Sequence, residues 1–296
     1  MSDSIGSRFS KKLRGLKYRF IPPNIPRRYQ RRLEGELSRV RQAFDGTDKI
    51  VLTHTYGKVG STAIHKVVGK LPGYASFQTH FISATGVANA LRLHREERDP
   101  IHMHQGEALR KEMEAQPERT IRVITLVRDP VARAVSDIFE NPEMLGAGGD
   151  LRELPVEKLI SLAEEQVRGS LTYTEQWFDQ ELSALLGFDF FSRDFDRAGG
   201  FEILREGRFT LLAGKLERLA TDGAGPLGRV LDLGRDLPVP PSRARSATGE
   251  AALYDRVKRG LKLSAGLLDE VYSSRTCRHF YTPAELDAFR KRWIQP

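Results

Sequence analysis

Residues 49–69 read KIVLTHTYGKVGSTAIHKVVG and carry three local signals in order. The apolar run at 50–52 predicts a buried strand, residues 56–62 form a turn with two glycines, and residues 63–69 have the apolar spacing of a helix. The N–H groups of such a turn and the N-terminus of the following helix together bind anions such as phosphate. The segment therefore predicts an α/β fold with a phosphate-binding loop after its first strand.

Residues 120–136, TIRVITLVRDPVARAVS, contain the clearest strand of the chain. The strand covers residues 120–127 and is followed by Arg128. Asp129 is then a good N-cap and Pro130 a favoured first helical residue. Further strands are predicted at 74–79 and 209–213, a long loop at 222–250, and two helices in 251–296. Strands alternating with helices predict a P-loop-like parallel sheet flanked by helices, with a helical C-terminal part.

The basic charge lies at the N-terminus. The chain carries +8 overall, but residues 1–44 alone hold twelve Lys or Arg against three Asp or Glu. We expect an irregular basic arm at 1–26 and a docking helix, together residues 1–47, before a domain at 48–296. The arm is a solvated tail, a contact for an anionic membrane surface, or a contact for a polyanion. No base-reading motif or stacking aromatic pattern supports nucleic acid.

The composition indicates a cytoplasmic protein. Cys277 is the single cysteine, so no intramolecular disulfide can form. No apolar run approaches the roughly 18 residues that span a bilayer, and the N-terminus lacks the apolar region of a secretory signal. Peripheral attachment to the inner membrane face is expected only if the arm binds lipid.

The glycine-containing loop at 56–62 and the segment at 126–136 together resemble the two signatures of the sulfotransferases that use 3′-phosphoadenosine 5′-phosphosulfate (PAPS). The resemblance implies that the loop binds the 5′-phosphosulfate through Lys58, Gly60, Ser61 and Thr62. It also implies that Arg128 and Ser136 bind the 3′-phosphate. Cytosolic members usually have proline where this chain has Gly57 and an aromatic residue where it has Ile64, which points away from phenol and steroid acceptors.

Three later segments, residues 177–181, 187–189 and 272–281, resemble bacterial capsular polysaccharide synthesis proteins. With them the resemblance covers residues 48–294 and implies a carbohydrate hydroxyl as acceptor. In the sulfotransferase superfamily a basic C-terminal loop often covers the 3′-phosphate, so Arg245 and Ser246 are candidate contacts. A solvated basic loop is the alternative.

Transfer to a hydroxyl needs a base, and histidine is the usual one. His102-Met103-His104 resembles the His-x-His of heparan and uronyl 2-O-sulfotransferases, which implies His104 as the base and His102 as a helper. His80, after a predicted strand, is the competing candidate, and a carboxylate is a third possibility. No convincing third ligand accompanies the two histidines, so we expect no metal.

Two other functions remain open. A P-loop kinase or NTPase would need Mg²⁺ and an acidic ligand after a strand, but the loop lacks the Lys-Ser/Thr pair of that class. A non-catalytic module that binds a polyanion or a membrane through the arm is the third hypothesis.

Overall fold

A computed structural model describes residues 27–93, 101–140, 151–240 and 251–295. The predicted arm at 1–26 and the candidate ligands Arg245 and Ser246 lie outside these ranges. The chain forms two compact units. Unit 1 comprises Met1–Asp48 and Phe81–Arg119, and unit 2 comprises Lys49–His80 and Thr120–Pro296. The division into residues 1–47 and 48–296 stays a prediction.

Unit 2 contains a five-stranded sheet of order β2-β1-β3-β5-β4. Its strands are β1 (Ile50–His54), β2 (Ala75–Thr79), β3 (Ile121–Val127), β4 (Phe201–Glu206) and β5 (Phe209–Lys215). All neighbours pair in parallel except β4 with β5. The mixed α/β class and the four predicted strands are confirmed. The antiparallel β4 at the sheet edge, which we had not predicted, makes the sheet mostly rather than wholly parallel.

The order of the strands places the predicted segments together. The chain leaves β1 for β2 on one side, and β3 pairs with β1 on the other. Ligands in open α/β sheets bind beyond the carboxyl ends of the strands at such a reversal. The residues that follow β1 and β3 are the Lys58 loop and Arg128.

Helices cover the sheet and build the C-terminal part of unit 2. They are α2 (Ser61–Val68), α5 (Pro130–Glu140), α6 (Val156–Gly169), α7 (Tyr173–Trp177), α8 (Leu219–Asp222), α9 (Ala224–Val230), α10 (Ala251–Gly260), α11 (Ala265–Tyr272), α12 (Arg275–Phe280) and α13 (Pro283–Trp293). The prediction of two C-terminal helices is wrong, because Ser264, Ser274 and Thr282 each cap a further helix. The predicted loop at 222–250 is also wrong where α8 and α9 occupy it.

Unit 1 is helical in its described residues. It contains α1 (Arg27–Gly46), α3 (Ala84–Leu93) and α4 (Ile101–Ala115), and the predicted helix between the arm and residue 47 is confirmed as α1. Helix α1 packs against α4, with Gln105 Nε2 donating to Glu36 Oε2 at 3.1 Å. A Cβ on Gly106 would lie 2.1 Å from the Phe81 carbonyl oxygen, so glycine permits α4 to approach this backbone.

None of the helices in the four described ranges combines the length and the apolar character needed to cross a membrane.

Candidate anion-binding site

The loop after β1 has an unusual backbone. Gly60 (φ 84°) and Lys58 (φ 71°) both adopt the left-handed conformation. Glycine suits this conformation, and a Cβ at position 60 would also lie 2.6 Å from Leu216 Cδ1. At Lys58 the same conformation costs about 1–3 kcal/mol, and residues held in this way concentrate at functional sites. The loop therefore stores strain at a residue that the sequence resemblance predicts as a donor ligand.

The two hydroxyls at the start of α2 are held from the neighbouring strand. Gln78 on β2 donates through Nε2 to Ser61 Oγ at 2.9 Å and to Thr62 Oγ1 at 3.1 Å. Ser61 is buried and Thr62 is exposed. Since the amide fixes both oxygens, these hydroxyls are pre-oriented at the N-terminus of the helix, where an anion is favoured.

Arg128 joins the two predicted segments. Its Nη1 donates to the Lys58 carbonyl oxygen at 3.0 Å, and its Nη2 donates to the Tyr254 hydroxyl at 3.4 Å. The Lys58 ammonium forms an ion pair with Glu140 Oε1 at 3.0 Å. Two cations separated by about 70 residues of sequence thus lie at one edge of the sheet.

Asp129 has a structural role. Its buried carboxylate accepts hydrogen bonds from Val131 N at 3.1 Å, Tyr272 Oη at 2.9 Å and Trp293 Nε1 at 2.9 Å. Burial raises the pKa of this carboxyl group, against the lowering effect of these donors. The predicted N-cap role is confirmed, and these donors engage the carboxylate that would otherwise be the natural Mg²⁺ ligand after β3.

Helix α5 carries two more buried polar side chains, and one of them, Arg133, lines the same crevice as Arg128. Ser136 is 7% exposed and Arg133 is 3% exposed. Arg133 Nη1 lies 3.8 Å from Asp137 Oδ2, while its Nη2 has no hydrogen-bond partner among the described residues. Arg128 and Arg133 line a crevice of about 20 Å³, which is room for one water. Sequence reasoning assigned no role to Arg133. Its only signal is its position five residues after Arg128.

His80 lies at the carboxyl end of β2, half-buried. Its Nδ1 is 2.6 Å from the Thr55 carbonyl oxygen, and its own carbonyl accepts from Trp177 Nε1 at 2.7 Å. A carbonyl only accepts, so Nδ1 carries the proton in the neutral ring and the lone pair resides on Nε2. This tautomer suits a general base.

The structure also contains a buried polar pair, His54 and Glu181, that the sequence did not predict. His54, the last residue of β1, places Nδ1 2.9 Å from Thr79 Oγ1 and Nε2 3.3 Å from Glu181 Oε2. Both side chains are fully buried, and the Trp177 ring lies 5.0 Å from the His54 ring. Glu181 belongs to a π-helix, Phe178–Ala184, and such segments are frequent at functional sites.

Two further candidates belong to unit 1. His102 and His104 occupy α4 of unit 1, where His102 is exposed and His104 half-buried. No group of three or more His, Cys, Asp or Glu side chains fit to hold a metal occurs within the described ranges. A reaction without metal stays a prediction, as do the roles of all candidate ligands.

Comparisons with known proteins identify one family. The model of the NKWYS family, described as "Putative capsular polysaccharide synthesis protein", matches residues 150–282, less than half of the chain. The match includes Trp177, Phe178 and the whole segment at 272–281, as the resemblance predicted. It includes neither Lys58 nor Arg128. No curated protein and no solved structure matches the chain. In residues 150–282, the chain is therefore similar to this family.

Proposed function

We propose that unit 2 is a PAPS-dependent sulfotransferase that acts on a hydroxyl of a glycan in capsular polysaccharide synthesis. The observation that carries the proposal is the hydrogen bond from Arg128 to the Lys58 carbonyl at the strand reversal. It joins the two segments that resemble the donor-binding signatures. The description of the matched family supports the polysaccharide part.

The donor would be bound through a P-loop-like arrangement. Ser61, Thr62 and the N-terminus of α2 would hold the 5′-phosphosulfate, and Arg128 and Ser136 the 3′-phosphate. The unpaired Nη2 of buried Arg133 is a further donor on the same side. The 20 Å³ crevice is too small for a nucleotide, so binding requires the side chains around it to move.

Lys58 would change partner when the donor binds. Its ammonium now contacts Glu140, whose side chain is 63% exposed, and an exposed ion pair contributes little stability. The donor's bridging oxygen gains negative charge as the bond from sulfur to the phosphate breaks. Lys58 would stabilise that charge, an interaction that strengthens in the transition state.

His80 is the base that the geometry of unit 2 favours. The acceptor oxygen forms its bond to sulfur, the bond from sulfur to the 5′-phosphate oxygen breaks, and the acceptor proton passes to His80 Nε2. The products are a sulfate ester, adenosine 3′,5′-bisphosphate and a proton. His104 as the base, with His102 as its helper, stays a prediction that rests on resemblance alone.

A thermal-shift screen tests the proposal against its alternatives. A ligand at 100 times its Kd stabilises the folded state by about 2.7 kcal/mol. We expect adenosine 3′,5′-bisphosphate to raise the melting temperature and ATP with Mg²⁺ to have little effect. A larger shift with ATP and Mg²⁺ would indicate a kinase or NTPase. No shift with either would favour the non-catalytic module.

A further inference from the structure

A second pocket of unit 2 is lined by four arginines. It has a volume of about 330 Å³, large enough for a sugar unit, and it opens to solvent. Asp194 contributes the one carboxylate of the lining. The aromatic, basic and imidazole side chains of the lining that the inference uses are Phe191, Arg193, Arg197, Arg275, Arg278 and His279. The segment at 272–281, which resembles capsular polysaccharide synthesis proteins, thus supplies three of the lining residues.

The wall of the pocket is a packed aromatic cluster. Phe190 stacks on Phe280 with ring centroids 5.2 Å apart, and His279 contacts Phe191 at 5.3 Å. The Arg275 guanidinium lies 4.0 Å from the centre of the Phe191 ring. Because buried rings fix the backbone on both sides, the arginines project from a rigid frame.

Two of the four guanidinium groups are already neutralised. Arg193 pairs with Glu206, and Arg275 pairs with Asp179 at 2.8 Å. Arg197 and Arg278 are exposed, and neither side chain forms an ion pair or hydrogen bond with the residues that the structure describes. Two unpaired guanidinium groups bordering one cavity are suited to an oxyanion, which arginine binds in bidentate geometry.

The basic pocket is separate from the 20 Å³ crevice that Arg128 and Arg133 line. Helix α12 lines the crevice through Thr276 and Cys277 and lines the basic pocket through Arg275, Arg278 and His279. No residue of the described part of the chain lines both cavities. A ligand in the basic pocket would leave the donor side unobstructed.

We propose that this basic pocket binds the anionic group of an acidic sugar, so that the acceptor glycan is itself negatively charged. The role of this glycan as the sulfate acceptor rests on the proposed function, whereas the binding of an acidic sugar to the pocket does not. A carboxylate and a phosphate ester share the chemistry that Arg197 and Arg278 recognise. The carbohydrate part distinguishes such a ligand from free phosphate.

Titration calorimetry with the full chain tests the pocket. The probes are a tetrasaccharide of glucuronic acid, the glucose tetrasaccharide of the same linkage, and inorganic phosphate. We expect the acidic tetrasaccharide to bind, the neutral one to bind at least about tenfold more weakly, and phosphate to compete only weakly. Equal binding of both tetrasaccharides, or saturation by phosphate with no added affinity from the sugar, would overturn the proposal.

Paired double variants locate the site. Arg197→Gln/Arg278→Gln should weaken the acidic tetrasaccharide at least about tenfold. Arg229→Gln/Arg235→Gln, which removes two exposed arginines outside both pockets, should change it less than about twofold. Equal losses in the two variants would refute the site. Retained tetrasaccharide binding in a chain that ignores adenosine 3′,5′-bisphosphate would refute the sulfotransferase proposal and leave the pocket standing.

Discussion

The tautomer of His80 determines which of its two ring nitrogens can accept a proton. Thr55 accepts the Nδ1 proton, so Nε2 is the basic atom. We predict that His80→Ala lowers turnover by about 10²–10⁴ at saturating donor, while the affinity for adenosine 3′,5′-bisphosphate stays normal. Transfer of radiolabelled sulfate measures the rate, and calorimetry measures the affinity.

His104→Ala is the matched control for that experiment. We expect it to retain turnover close to that of the wild type. An inactive His104→Ala with an active His80→Ala would place the base in unit 1 and contradict the assignment.

Lys58 allows a prediction that separates chemistry from binding. Lys58→Ala should lower turnover more than it lowers bisphosphate affinity, because the bisphosphate lacks the bond whose breaking the ammonium assists. Glu140→Gln, which removes the present partner of Lys58, should bind the donor at least as tightly as the wild type. Equal losses of affinity and turnover in Lys58→Ala would show that the lysine only binds.

The basic pocket predicts a pH effect at His279. Burial and then the neighbouring Arg197 lower the pKa of His279 below its usual value, with Asp194 opposing them. The folded state therefore binds fewer protons than the unfolded state. Stability should rise with pH through the window that ends near 6.5 and fall on acidification. An NMR titration should show the pKa of His279 rising in Arg197→Gln, and a pKa at or above 6.5 in the wild type would contradict this.

Sequence reasoning at this scale succeeded where partners are local. The N-cap role of Asp129 follows from its place two residues before Val131. Its other donors, Tyr272 and Trp293, lie 143 and 164 residues away, so no local pattern reveals them. The same holds for Glu181, whose partner His54 belongs to a distant strand.

The π-helix at Phe178–Ala184 contacts the sheet through a buried side chain. Glu181 from this segment contacts His54 in β1, and Trp177 just before it donates to His80 after β2. We predict that Glu181→Ala lowers the free energy of unfolding by about 1–3 kcal/mol, because it removes the polar group nearest to a buried imidazole nitrogen. Urea denaturation measures the loss. A change below about 1 kcal/mol would show that the pair adds nothing to the fold.

Helix α13 is fixed at its start by a buried ion pair. Lys215 at the end of β5 is fully buried and contacts both Glu285 oxygens, at 2.8 and 2.6 Å. Glu285 also completes the capping box with Thr282. Glu285→Gln should cost roughly 3 kcal/mol, since it leaves a buried ammonium, whereas Lys215→Met removes the charge and should cost less. Equal losses measured by urea denaturation would contradict this order.

Elements with strong local signals were predicted from sequence, and weak ones were not. Strands β1 and β3 are mostly apolar and almost wholly buried, a pattern that central strands require. Strand β4 lies at the sheet edge and stays half-exposed, so its residues lack that pattern. The C-terminal helices were merged because their breaks depend on single Ser or Thr caps.

At the scale of the whole molecule, the strand order explains why two distant segments form one site. Periodicity predicts each strand but not its neighbours, so the pairing of β1 with β3 emerges only in the folded chain. The division of the chain into two units could not be predicted for the same reason. Residues 81–119 belong to unit 1, and the chain then returns to unit 2.

Recognition of the 3′-phosphate is the central claim, and calorimetry tests it most directly. Adenosine 3′,5′-bisphosphate and AMP differ only in that phosphate, so their affinities isolate the role proposed for Arg128 and Ser136. We predict that the wild type binds the bisphosphate much more tightly than AMP. Arg128→Ala should lose about 1.5–3 kcal/mol of that preference. Equal affinity of the wild type for the two nucleotides would contradict the account.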